Sequence, residues 1–149
     1  MGTKLSNYGG KKEGLREDPL IIGVGGSMPN RIVHFEIPVD DAGRAIKFYE
    51  EVFGWKISKW EGPMPYWLVM TGDEEEPGID GGISMREDLP TTTNMIDILD
   101  IDEFMEKIKS GGGSIVSEKM TIPGVGYMAY CMDTEGNRFG IMQSDERAK

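Results

Sequence analysis

In the stretch RIVHFEIPVDD, residues 31–41, the chain's only histidine, His34, stands two positions before Glu36. An extended strand sends alternate side chains to one face, so the two leave the sheet together, with roughly 7 Å between their Cα atoms. Three chemistries suit that spacing. The pair is half of a metal site, imidazole with carboxylates being a recognised ligand set. Or it is a proton-transfer pair, because a histidine titrates near neutrality beside a carboxylate. Or it is a hydrogen-bonded polar lining. Asp97, in NMIDILD, completes a one-histidine, two-carboxylate metal set with His34 and Glu36 only if strand pairing brings it to them.

Other residues narrow the chemistry. Cys131 is the sole cysteine, which excludes an internal disulfide and a cysteine-held zinc or iron-sulfur centre, and sets a reducing, cytoplasmic location as the expectation. It reads as an inert apolar strand residue. The formal net charge of -10 repels nucleic-acid phosphates and anionic membrane surfaces, so neither is an expected partner. PLIIGVGG is too short to span a bilayer, and the first residues lack a signal-peptide core. GVGGS lacks the third glycine of a dinucleotide loop and runs into Pro29. The acidic run Asp73 to Glu76 reads as a solvated loop tip without calcium-loop spacing. Tyr66 and Trp67 have opposite parity in YWLVMTG, so one of the two faces inward. The eleven methionines read first as gap-filling core residues.

The elements that position these residues come in a repeat. Residues 1–29 show no sustained period and read as a flexible extension, in which PLIIGVGG could pack as one short strand; residues 30–145 read as a single domain. RIVHFEIPVD alternates like a strand, and DDAGRAIKFYEEVFGW then places Ala42, Ala45, Ile46, Tyr49, Val52 and Phe53 at helical spacing. Asp40 or Asp41 caps that helix and Gly54 stops it. WKISKWEG, YWLVMTG and GIDGGISM follow as strands. The second half repeats the order: NMIDILD, a helix in IDEFMEKIKSGGG carrying Ile101, Phe104, Met105 and Ile108 on one face, then SIVSEKMTIPG and a hairpin turning at Asp133 to Asn137. The fold expected is α+β: two tandem βαβββ modules, 31–84 and 93–143, forming a curved, barrel-like mixed sheet with helices outside.

Parity then assigns faces. Each helix covers one face of its first strand, sending Val33, Phe35, Ile37, Val39, Ile96 and Ile98 to the helices and His34, Glu36, Thr93, Met95 and Asp97 into the cleft. With one of Tyr66 and Trp67, and with Gly140 and Met142 of the last strand, these make the expected ligand pocket. An interior holding so many polar side chains needs partners, from water or a ligand.

HFEIPVDDAGRAIKFYEEVFGW, DIDEFMEKIKSGGGSIV and DTEGNRFGIMQ resemble the vicinal oxygen chelate superfamily, which includes glyoxalase I, bleomycin-resistance and fosfomycin-resistance proteins and extradiol dioxygenases. The resemblance covers residues 31–143 and looks closest to the small glyoxalase-like branch. It implies a curved half-barrel from each module, paired chains, and, in metal-dependent members, a divalent ion on four inward side chains. His34 matches the first of those positions. The second falls on Thr93, the carboxylate expected near Leu68 or Val69 is absent, and the last-strand glutamate is Gly140. One imidazole cannot hold a hard divalent ion against water, so no cofactor is expected. The resemblance therefore implies a homodimer that binds a small, partly apolar molecule without the standard metal. The alternative is a lyase, isomerase or dioxygenase using a metal relocated to His34, Glu36 and Asp97, or His34 as acid/base.

Overall fold

Asp41 and Asp100 open the two helices in the same way. Each has an extended backbone and a side chain that accepts a 2.9 Å bond from the amide three residues on, Arg44 N and Glu103 N; this satisfies one of the otherwise unpaired amides of the first turn. Asp40 instead meets Arg86 Nε at 3.0 Å. Gly54 ends the first helix at φ 69, a left-handed conformation that a side chain resists, and its amide returns to Glu50 O.

The computed structural model describes residues 29–149. The first module runs β1 Ile32–Val39, α1 Ala42–Phe53, β2 Lys56–Lys59, β3 Tyr66–Met70 and β4 Gly81–Met85. The second runs β5 Thr93–Asp97, α2 Ile101–Ser110, β6 Ser114–Ile115, β7 Met120–Ile122, β8 Gly126–Met132 and β9 Arg138–Ser144. All strands join one mixed sheet in the order β2-β3-β4-β1-β5-β9-β8-β6, with β7 also on β8. The pairs β1–β4 and β5–β9 are parallel, and the modules meet along the antiparallel β1–β5 pair. This is the expected α+β architecture, two tandem modules in a curled sheet; the first is βαβββ, and the second follows the same order with the strand after its helix divided into β6 and β7. Residues 1–28, including PLIIGVGG, lie outside the described residues. At the other end Ala148, three residues past the expected boundary at 145, is buried and its carbonyl accepts from Gly124 N.

Three local features depart from the sequence reading. SIVSEKMTIPG forms two short strands, because the Ser117 hydroxyl accepts from Tyr130 N and the amides of Val116 and Ser117 both reach Tyr130 O; a side chain takes the place of a ladder bond there. Val33 packs on the inward cluster with Tyr66 and Met95 rather than under α1. Ile32 pairs with Ile96 and His34 with Met95, so Val33 is the extra residue of a β-bulge, and parity breaks at that point. Val52 and Phe53, expected under α1, are 56% and 58% exposed. Tyr49 stacks flat on Trp55 at 4.9 Å and fills the space below the helix end, leaving Phe53 against the outer side of both rings.

Two apolar clusters lie beneath the helices, one around Val39, Val69 and Ile83, the other around Ile98, Ile101, Ala129, Cys131 and Ile141. A third occupies the concave side, where Tyr66, Met95, Val125, Met128 and Met142 come together from both modules. Three methionines thus line the interior, whereas Met64 and Met70 lie at the surface. Among the described residues, no helix is long and apolar enough to cross a membrane.

Candidate functional site

The β1–β5 register sets the centre of the concave face. Glu36 stands opposite Thr93 and beside Gly82, and His34 stands opposite Met95. All are buried; His34 and Glu36 keep 3% and 5% of their surface. Charged or polar groups this deep need partners, and the partners here are tyrosines. His34 Nε2 lies 2.7 Å from Tyr66 Oη, and Tyr130 Oη donates to Glu36 Oε1 at 2.6 Å. The Tyr66 hydroxyl also faces the Glu36 carboxyl and helps to hold its pKa down. The direction of the His34–Tyr66 bond follows the imidazole tautomer: where Tyr66 turns its proton to Glu36, His34 Nε2 is the donor. The result is a chain His34–Tyr66–Glu36–Tyr130 that crosses from one module to the other.

Two glycines make room for it. A Cβ on Gly82 would fall on the Tyr66 ring and hydroxyl, and a Cβ on Gly140 would fall on the end of Met95. Tyr66 is further held by Trp60, whose ring meets it edge-on at 6.1 Å. Gly82 borders β1 as Gly140 borders β5, so the two are counterparts across the module repeat.

Burial governs the electrostatics. It lowers the His34 imidazole to about 4, with Asp80 acting in the opposite direction, so His34 is neutral at pH 7. It raises the Glu36 carboxyl, while the bonds from Tyr130 and Tyr66 and the charge of Arg138 hold it back. Both hydroxyls are pushed up, chiefly by burial and then by Glu36, so their protons stay on the tyrosines. Burial also pushes the Cys131 thiol up to about 11, away from nucleophilic thiolate chemistry.

The other expected site residues divide. Met95, Gly140 and Met142 are buried on the concave side with Tyr66. Trp67 turns to the opposite face and packs with Val39, Val69 and Ile83, which settles the parity choice in favour of Tyr66. Thr93 is fully buried and donates its hydroxyl to Thr91 O at 2.9 Å. Asp97 is buried but lies four residues along β5 from Thr93, the partner of Glu36; four strand steps are about 13 Å, too far for both carboxylates to reach one ion. Among the described residues no three His, Cys, Asp or Glu side chains gather into a metal-sized group. The relocated set His34, Glu36 and Asp97 therefore does not form.

The superfamily's standard metal does not fit either. Thr93 spends its hydroxyl on a carbonyl, Gly82 and Gly140 offer no side-chain donor, and the His34 nitrogen facing the interior is engaged by Tyr66. Leu68, at the position of the expected carboxylate, pairs with Gly82 and packs on the concave cluster. An outer depression of about 370 Å³ between β1 and α1, lined by Arg44, Phe48 and Arg86 among others, lies away from His34 and Glu36. Tyr130, Gly82 and Arg138 were not singled out from sequence. The available signal was parity: Tyr130 pairs with Gly140, and Arg138 is two residues from it on the same face.

Comparison with known proteins agrees with this fold. A family model described as bleomycin resistance protein-like, N-terminal, matches residues 31–72. A glyoxylase-like domain-containing protein of Didymella fabae is 31% identical over 119 residues, covering 74% of this chain and 91% of its own. A methylmalonyl-CoA epimerase of Mycobacterium tuberculosis is similar in fold, with TM-score 0.55 and 15% identity over 76% of this chain and 87% of that one. A hypothetical protein of Bacillus halodurans C-125 gives TM-score 0.60 and 14% identity over 80% and 98%.

Proposed function

Because the chain belongs to the glyoxalase-like branch of the vicinal oxygen chelate superfamily, we propose that it binds a small, partly apolar molecule on its concave face without the superfamily's standard metal. The observation that carries this reading is the His34–Tyr66 bond: the one nitrogen on the first metal position is committed to a hydroxyl, and the remaining positions hold no ligand. Met95, Met128 and Met142 supply adaptable apolar surface beside the polar chain. The test is a thermal-shift screen of small molecules on chelator-treated protein. Hits that persist without metal and vanish in His34→Ala and Tyr66→Phe support the reading; hits that need added metal contradict it.

A second reading has its own observation. Glu36 is more basic than an ordinary carboxylate and sits between two tyrosine hydroxyls, an arrangement suited to moving a proton to or from a bound carbon acid. That is isomerase or lyase chemistry, and the fold neighbours include epimerases, one solved with methylmalonyl-CoA. Here Glu36 is the base and His34, with its lowered pKa, positions Tyr66. Loss of turnover with retained affinity in Glu36→Gln supports catalysis; loss of affinity alone supports capture.

We also propose that two chains associate. The exposed Phe48, Val52 and Phe53 on α1 form an apolar surface of the kind that marks interfaces. A cytoplasmic location rests on the single, buried Cys131.

A further inference from the structure

Arg138 opens β9 and shares the inward face of Gly140 and Met142. Its guanidinium carbon lies 4.3 Å from the centroid of the Tyr130 ring, the ring whose hydroxyl holds Glu36. Nε is buried and has no hydrogen-bond partner. Among the described residues no carboxylate lies within ion-pair distance of this guanidinium. Stacking uses the flat face of a guanidinium and leaves its edge donors free. A buried donor without an acceptor destabilises the free chain and is relieved when a bound molecule supplies one. In a chain of net charge -10, a half-buried cation beside an apolar surface is a selective element against that background.

We propose that Arg138 is the anion-recognition residue of the concave site and that its ligand is a small organic monocarboxylate, received on the guanidinium edge with its apolar part over Tyr130 toward Met95. This deepens the binding reading above and rests on it. One arginine matches one carboxylate in bidentate geometry. A dianionic phosphate would ask for a second cation and would face Glu36 across the Tyr130 ring. The Tyr130 ring spaces the ligand from Glu36, which places groups next to the ligand carboxylate within the tyrosine–glutamate chain.

The test titrates acetate, benzoate and phenylacetate, and the matched neutral amides, into wild-type, Arg138→Met and Arg138→Lys proteins labelled with nitrogen-15. Circular dichroism checks that each variant is folded. The expected result is a carboxylate preference of about tenfold or more over the amide, the scale of one charge-assisted contact, with a shift of the Arg138 Nε–H resonance on carboxylate addition alone. Arg138→Met abolishes the preference and keeps amide binding, and Arg138→Lys restores part of it. Equal binding of acids and amides by the wild type overturns the proposal, as does a preference that survives in Arg138→Met. Failure of both acids and amides to bind, by contrast, sinks the underlying binding reading as well.

Discussion

Tyr130 Oη donates a 2.6 Å hydrogen bond to Glu36 Oε1, so a strand of the second module is tied to the first strand of the first by a buried phenol–carboxyl contact. Both groups titrate above their ordinary range because they are shut away from water, and the proton stays on the phenol. Glu36 is therefore held as an acceptor between two hydroxyls, and what the concave face can do depends on that arrangement.

Replacing Tyr130 by Phe removes this bond and leaves one carboxyl oxygen poorly satisfied. A loss of about 1–3 kcal/mol is expected in urea unfolding, the range for a buried polar group deprived of its partner. The Glu36 carboxyl, having lost its largest opposing influence, rises further. Carboxyl-carbon NMR titration reads that shift; a Glu36 pKa that falls in Tyr130→Phe speaks against the assignment.

His34 makes stability depend on pH with a definite sign. Its folded-state pKa, about 4, lies below the ordinary histidine value of 6.5, so the unfolded chain binds more protons between those values. The His34 contribution is present above pH 6.5 and is lost as pH falls toward 4, by on the order of 3 kcal/mol. Glu36 acts in the opposite sense: its raised pKa favours the folded state at low pH, and that contribution is lost as pH rises through the folded value. Replacing His34 by Gln, which keeps a donor toward Tyr66, should flatten the acid limb of the stability curve. An unchanged slope between pH 6.5 and 4 would show that His34 is not buried neutral.

The two counterpart glycines should respond unequally to alanine. Gly82→Ala drives a methyl into the Tyr66 ring, which is pinned by His34 and Trp60, and overpacking of this kind costs about 1–3 kcal/mol. Gly140→Ala meets the flexible end of Met95, which can turn aside, so its effect stays below about 1 kcal/mol. Urea midpoints compare them; equal losses would mean that Tyr66 is not rigidly held.

Light scattering at micromolar concentration should give about twice the single-chain mass of 16.6 kDa. Phe53→Glu, on the exposed face of α1, should reduce it to the single-chain value. A wild-type mass of 16.6 kDa removes the dimer.

The sequence made the architecture readable because each module carries its own punctuation: Asp41 and Asp100 as caps, Gly54 and Gly111 as stops, and period-two alternation in β1 and β5. The same alternation identified His34, Glu36 and Met95 as inward. Parity failed at Val33, where a bulge inserts one residue, and nothing local announces a bulge. Helical spacing grouped Val52 and Phe53 with the core because periodicity does not say where the sheet beneath a helix ends. Tyr130 was invisible for a different reason. Its partner is 94 residues away, and only the closing of the sheet across β5 and β9 brings them together. Arg138 likewise reads as one charge in a hairpin until its ring partner is placed beneath it.

The most direct test of metal-free binding is metal content. The protein is stripped with a chelator, re-exposed separately to nickel, zinc, manganese and iron, dialysed, and analysed by mass spectrometry beside His34→Ala. The expectation is substoichiometric metal, the same in both proteins, with small-molecule hits on the wild type unaffected by stripping. One ion per chain that disappears in His34→Ala would contradict it.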